Sequence, residues 1–196
     1  MRSSLPETIK SHAGLLFGLL AAMWAVELAD FLLPFLDFDC FGIRPRSAGG
    51  LVGIVLSPFL HGDFGHLAAN SLPFLALGGV VMLGGRRVFL GISVWVVIVG
   101  GLGVWVFGRS NSVHIGASLL IFGYLGFLLS RGIFERSIVW VLVSVAILIA
   151  YGGMIHGVLP GRPGISWLGH LCGFFAGVAG AWLMFPKGGR LYGSGR

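Results

Sequence analysis

Apolar residues run along this chain in six long stretches, at 13–35, 64–83, 88–107, 116–130, 138–155 and 167–185, parted by short polar or basic breaks. A helix that crosses a bilayer needs about 20 predominantly apolar residues, so each stretch predicts a membrane span. The first is too long for the apolar core of a signal peptide, and more membrane follows it rather than a soluble domain, so it reads as a retained helix. No stretch carries a fixed repeat, and no Pro/Ser-rich linker marks off a second unit. The expected organisation is an N-terminal segment at 1–12, one membrane domain at 13–186 and a tail at 187–196.

Composition removes the soluble alternatives. Of 196 residues, 56% are hydrophobic, 10% are charged and 34 are glycine, against about 25% charged and about 7% glycine in soluble domains. A soluble domain of this length keeps roughly 30% of its unfolded surface in water and has nowhere to hide so much apolar area. That excludes a soluble enzyme, a disordered chain and a small disulfide scaffold. Cys40 and Cys172 make no disulfide framework and read as unpaired thiols.

The net charge of +6 does not indicate nucleic acid, because the Lys and Arg residues are scattered between apolar runs and form no basic face. Topology explains them better. With the N-terminus inside, Arg2, Lys10, Arg86, Arg87, Arg131, Arg136, Lys187, Arg190 and Arg196 are internal, and only Arg44, Arg46, Arg109 and Arg162 are external. The excess predicts both termini cytoplasmic. The second, fourth and sixth helices then begin at the outer face.

The fourth stretch is short, about 15 residues or about 22 Å at the helical rise, against a hydrocarbon core near 30 Å. With its inner end anchored at Arg131, the polar run 109–114 dips below the outer surface. Irregular backbone at that depth is tolerated where it lines a wet cavity, so an outward-facing depression is predicted at the start of the fourth helix.

Polar residues in membrane helices are costly and are functional candidates by default. They are His66 and Asn70 on the second helix, Ser118 on the fourth and His170 on the sixth. Counted from the inner anchors, they lie about 20–30 Å up, at one level beside the predicted cavity. Ser118 with His170 suits a nucleophile and its general base. Ser118 opens its helix, where free N–H groups and the dipole's positive end favour an oxyanion. Asn70 lies one turn from His66 on the same face, where both can donate to that oxyanion. Glu27 and Asp30, both on the first helix, are expected to face water or a partner at its outer end. No His-Glu-x-x-His run suits a zinc protease, no carboxylate pair on two helices suits an aspartyl protease, and no broken-helix repeat suits a transporter. Gly169, Gly173 and Gly177 form a small-residue stripe next to His170, matched by Gly123 and Gly126 on the fourth helix, which predicts contact between the two helices.

These residues resemble those of the rhomboid intramembrane serine proteases over nearly the whole chain. The matching pieces are His66-Leu-Ala-Ala-Asn70, Gly116-Ala117-Ser118 and Gly169-His170-Leu-Cys-Gly173, with Gly42-Ile-Arg-Pro-Arg46 and Phe59-Leu-His61 similar to the family's first outer loop. The resemblance implies an all-α, six-helix rhomboid-like bundle in a bacterial-type plasma membrane. It implies Ser118 as nucleophile, His170 as base, and His66, Asn70 and the Ser118 N–H as oxyanion hole. Phe122 would pack on the histidine, with Gly116 and His61 in support. It implies no metal or cofactor, and as substrates transmembrane proteins cut near the outer face at small residues after local unwinding.

One position departs from the family's G-x-S-G: Leu119 stands where the last glycine is expected. A leucine there is expected to narrow the cavity or press on the sixth helix. A catalytically silent relative that binds client helices, and a small scaffold or transporter, are the competing readings.

Overall fold

The computed structural model describes residues 5–33, 35–160 and 166–185. Arg2, Arg162, Lys187, Arg190 and Arg196 of the charge count, and the expected tail 187–196, lie outside them. Among the described residues, six helices are long and apolar enough to cross a membrane: α1 (Leu5–Leu32), α2 (Phe64–Met82), α3 (Arg86–Phe107), α4 (Ser118–Glu135), α5 (Ile138–Tyr151, extended by a 3-10 segment Gly152–Val158) and α6 (Trp167–Met184). The expected six-helix bundle is present. A shorter apolar helical stretch, Ala48–Phe59, lies between α1 and α2. The described residues hold no strand, only one antiparallel bridge between Ile43 and His114.

Local chemistry sets the ends. The Asp63 carboxylate accepts the His66 N–H at 2.7 Å and starts α2, while Ser166 Oγ accepts the Gly169 N–H at 3.2 Å and starts α6. Both satisfy donors that a helix N-terminus leaves orphaned. Arg136 turns left-handed (φ 53°) to end α4, and α5 starts two residues later. Within α3 the residues Val96–Gly100 take a π-helical turn.

The predicted contact between the fourth and sixth helices is the axis of the bundle. A Cβ at Gly173 would overlap the Leu119 carbonyl, one at Gly177 the Gly123 carbonyl, and one at Gly126 the Phe174 carbonyl. The two backbones therefore touch along a seam where nothing larger than glycine fits. Gly169, expected in that stripe, lies instead beside the Ser166 hydroxyl and Val104. Around the seam α3 closes one side, with Trp95 Nε1 donating to the Ala176 carbonyl at 2.8 Å.

The expectation of a short fourth helix fails. Arg131 is not its inner anchor: it is 4% exposed, and the helix runs on to Glu135, 18 residues in all, or about 27 Å. The Arg131 guanidinium pairs with Glu135 at 2.7 Å and sits 3.5 Å from the Trp140 ring centre, with Phe127 and Phe185 also around it. Aromatic faces substitute for water here. Glu27 also departs from expectation. It is 5% exposed, turned into the bundle rather than toward water, while Asp30 accepts the Phe38 N–H at 2.7 Å.

Candidate active site

A cavity of about 1050 Å³ opens at the end of the bundle where the loops before α2, α4 and α6 gather. His66, Asn70, Ser118, Phe122 and His170 all line it. Three helices thus bring the four polar residues singled out from the sequence to one space, with Arg109 and residues 112–115 along its wall. His61 and Gly116 lie behind this lining and hold it in place.

His170 is fixed on two sides. The Phe122 ring stacks on it at 4.1 Å between centroids and 7° between planes. Its Nδ1 is 2.8 Å from the Gly157 carbonyl. A carbonyl only accepts, so Nδ1 carries the hydrogen, and Nε2 is left with a lone pair toward the cavity. Gly157 is required there, because a Cβ would stand 2.9 Å from the Phe122 ring and 3.1 Å from Nδ1. Its part was not legible in the sequence, where it is one glycine among several after α5. No hydrogen bond joins Ser118 Oγ to His170.

The turn before Ser118 is built around Gly116, whose φ of +104° suits glycine alone. The His66 ring lies where a Cβ would be, 2.8 Å from Cε1 and 2.9 Å from Nε2, and Asn70 Nδ2 is 3.7 Å from the same point. That amide nitrogen is buried and has no hydrogen-bond partner among the described residues. The neighbouring backbone donors are taken: Gly116 N–H by the Ser57 carbonyl at 2.9 Å, and Ala117 N–H by His61 Nε2 at 3.3 Å. Burial, then the adjacent His66 imidazole, push the His61 pKa down to about 4, so its Nε2 keeps the lone pair this bond needs. Ser118 is the first residue of α4, and its N–H has no intrahelical acceptor.

Leu119 does not line the cavity, and its backbone lies directly against Gly173 of α6. Its Cδ2 is 3.3 Å from where a Cβ of Gly100 would be, so the isobutyl group fills a space left by glycine at the end of the π-helical turn of α3. The expected narrowing is absent because the first turn of α4 aims position 119 away from the mouth.

The loops are clamped from the other side by Arg46, which sequence reading counted as an outer charge and as the end of the first-loop motif. Its guanidinium donates to the Val106 carbonyl at 2.8 Å and to Ser110 Oγ at 2.6 Å, and its N–H to the Trp105 carbonyl at 3.0 Å.

The sequence matches the family model described as the Rhomboid domain over residues 48–187. It is similar to an uncharacterized protein of Mycobacterium tuberculosis, 41% identical over 172 residues that cover 84% of this chain and 71% of that protein. An uncharacterized protein of Mycobacterium leprae is 42% identical over 173 residues, covering 84% and 68%.

Proposed function

The chain belongs to the rhomboid family and is a multi-pass integral membrane protein, and on that premise we propose that it is an intramembrane serine endopeptidase. It cleaves transmembrane protein substrates near the outer membrane face, with both termini cytoplasmic, in a bacterial-type inner membrane. Ser118 Oγ attacks the scissile carbonyl while His170 Nε2 takes its proton. The negative oxygen of the tetrahedral intermediate is held by His66, Asn70 Nδ2 and the Ser118 N–H. His170 then protonates the departing amine, leaving the acyl group on Ser118. Water admitted by the cavity loses a proton to His170 and releases the acid. The Gly157 carbonyl holds the Nδ1–H that an aspartate holds in a three-residue relay, so two side chains suffice.

The observation that carries this reading is the Asn70 amide. A buried donor without a partner costs about 1–3 kcal/mol, and this one lies, with His66, against the turn that precedes Ser118. A developing oxyanion is the acceptor that relieves it. The test is covalent labelling of the reconstituted protein by a panel of serine-hydrolase probes, with Ser118→Ala and His170→Ala as controls. Labelling lost in both variants supports the protease. The missing Ser118–His170 hydrogen bond favours one rival, a silent relative that binds client helices, although such bonds are often long before substrate arrives. An unlabelled folded protein beside a reactive active rhomboid selects that rival.

A further inference from the structure

A chain of polar groups borders the cavity without belonging to the reacting pair. His114 Nδ1 is 2.6 Å from Ser166 Oγ, and His114 Nε2 is 2.9 Å from Ser112 Oγ. Ser112 Oγ donates to the Arg109 carbonyl at 2.7 Å, and Ser166 Oγ accepts the Gly169 N–H at 3.2 Å. For a neutral imidazole, donor counting fixes the direction of every bond. Ser112 has one hydroxyl hydrogen and uses it on a carbonyl, so it accepts from His114 Nε2–H. Nδ1 is then the unprotonated nitrogen, and the Ser166 hydroxyl donates to it while accepting from Gly169. One neutral tautomer of His114 satisfies all four bonds together. Burial lowers the pKa of this imidazole, in keeping with that form.

The placement of the chain is what gives it consequence. His114 precedes Ser118 by four residues, and Ser166 precedes His170 by four. The His114 backbone is itself pinned by a pair of 3.0 Å bonds with Ile43. Ser166 caps α6, and its carbonyl accepts the His170 N–H at 3.0 Å. Below this level the glycine seam sets the distance between α4 and α6. The last contact of the seam, Gly173 against the Leu119 carbonyl, lies beside Ser118, and beyond it the imidazole spans from the loop before α4 to the start of α6. We propose that His114 is a positioning residue: neutral and protonated on Nε2, it ties the loop that delivers Ser118 to the first turn that delivers His170, and so sets their separation.

This rests on the protease reading above, and the test keeps the two apart. Full-length protein in liposomes is titrated with a fluorophosphonate probe, giving a maximal rate of Ser118 labelling and a half-saturating concentration, and amide exchange is followed over residues 166–170. His114→Ala and Ser166→Ala are each expected to lower the maximal rate about ten- to a hundredfold, the scale of an ångström misplacement, with the half-saturating concentration unchanged and exchange faster. His114→Gln, which keeps an acceptor and a donor, and Ser166→Thr, which keeps the cap and the hydroxyl, are expected to recover most of both. Wild-type labelling rates in both alanine variants overturn the proposal, as does a loss that neither conservative variant recovers. If the unmodified protein does not label, the protease reading fails and exchange alone decides. Faster exchange in His114→Ala that His114→Gln reverses upholds the tether, and unchanged exchange removes it.

Discussion

Helices α4 and α5 follow one another across a tight turn and share one environment, yet they are built on opposite rules. The best apolar window of α5 has a mean hydropathy of 2.5 and is 6% buried, whereas that of α4 has 1.3 and is 67% buried. The more apolar helix is the peripheral one. Lipid asks of a side chain only that it be apolar, and α5 answers with Ile138, Val139, Leu142 and Ile149 turned outward. The interior asks for shape, and α4 answers with Gly123, Gly126 and Tyr124, whose hydroxyl meets Ser93 Oγ at 2.7 Å. In a bilayer, packing rather than hydropathy separates the core from the rim.

The sharpest way to break this contrast is to add bulk to the seam. Gly177→Val places a side chain against the Gly123 backbone, where neither helix can yield without losing the other. A loss of more than about 4 kcal/mol, enough to prevent folding, is expected, measured by steric trapping or detergent denaturation. A milder change is Leu119→Gly, which restores the family's sequence. It empties the space beside Gly100 and weakens the helix start, for a loss of about 3 kcal/mol. Probe labelling of Ser118 should persist, because Leu119 does not line the cavity.

Acid should loosen the start of α4 and spare α5. His61, which holds the Ala117 N–H, has its pKa in the fold near 4, below the ordinary 6.5. Between these values the unfolded chain binds a proton that the fold does not, so stability falls as pH drops from about 6.5 to about 4. Asp39 works the other way over the same range: burial, then Asp30 and Asp37, raise it to about 6, so its contribution is lost as pH rises through 6. The comparison is therefore made in Asp39→Asn, where a fall on the order of 2 kcal/mol is expected, with faster exchange at 116–118 and none at 138–151. A flat profile that His61→Gln leaves unchanged refutes it. The smallest effect belongs to Ile149→Ala on the lipid face of α5, 82% exposed, where less than about 0.5 kcal/mol is expected.

Much of this was legible in one dimension because membrane spans and short motifs are local. The six helices followed from run lengths, and the candidate residues Ser118, His170, His66 and Asn70 from polar groups in apolar stretches. What escaped was where side chains go once helices meet. Arg131 read as an interfacial charge because nothing nearby in sequence announces that Trp140 and Phe185 will stack around it. Glu27 read as facing water or a partner because α2, which packs on α1, comes later in the chain. His114 was only part of a polar run, since its partner Ser166 lies 52 residues away.

Leu119 and Gly100 share one volume across two helices, and that has a consequence for how such sequences diverge. A lineage that shrinks position 119 releases room at position 100, and one that enlarges position 100 needs the Leu119 tip to give way. Across many descendants the pair should hold its summed volume nearly constant while each member drifts, and leucine at position 119 should travel with glycine at position 100.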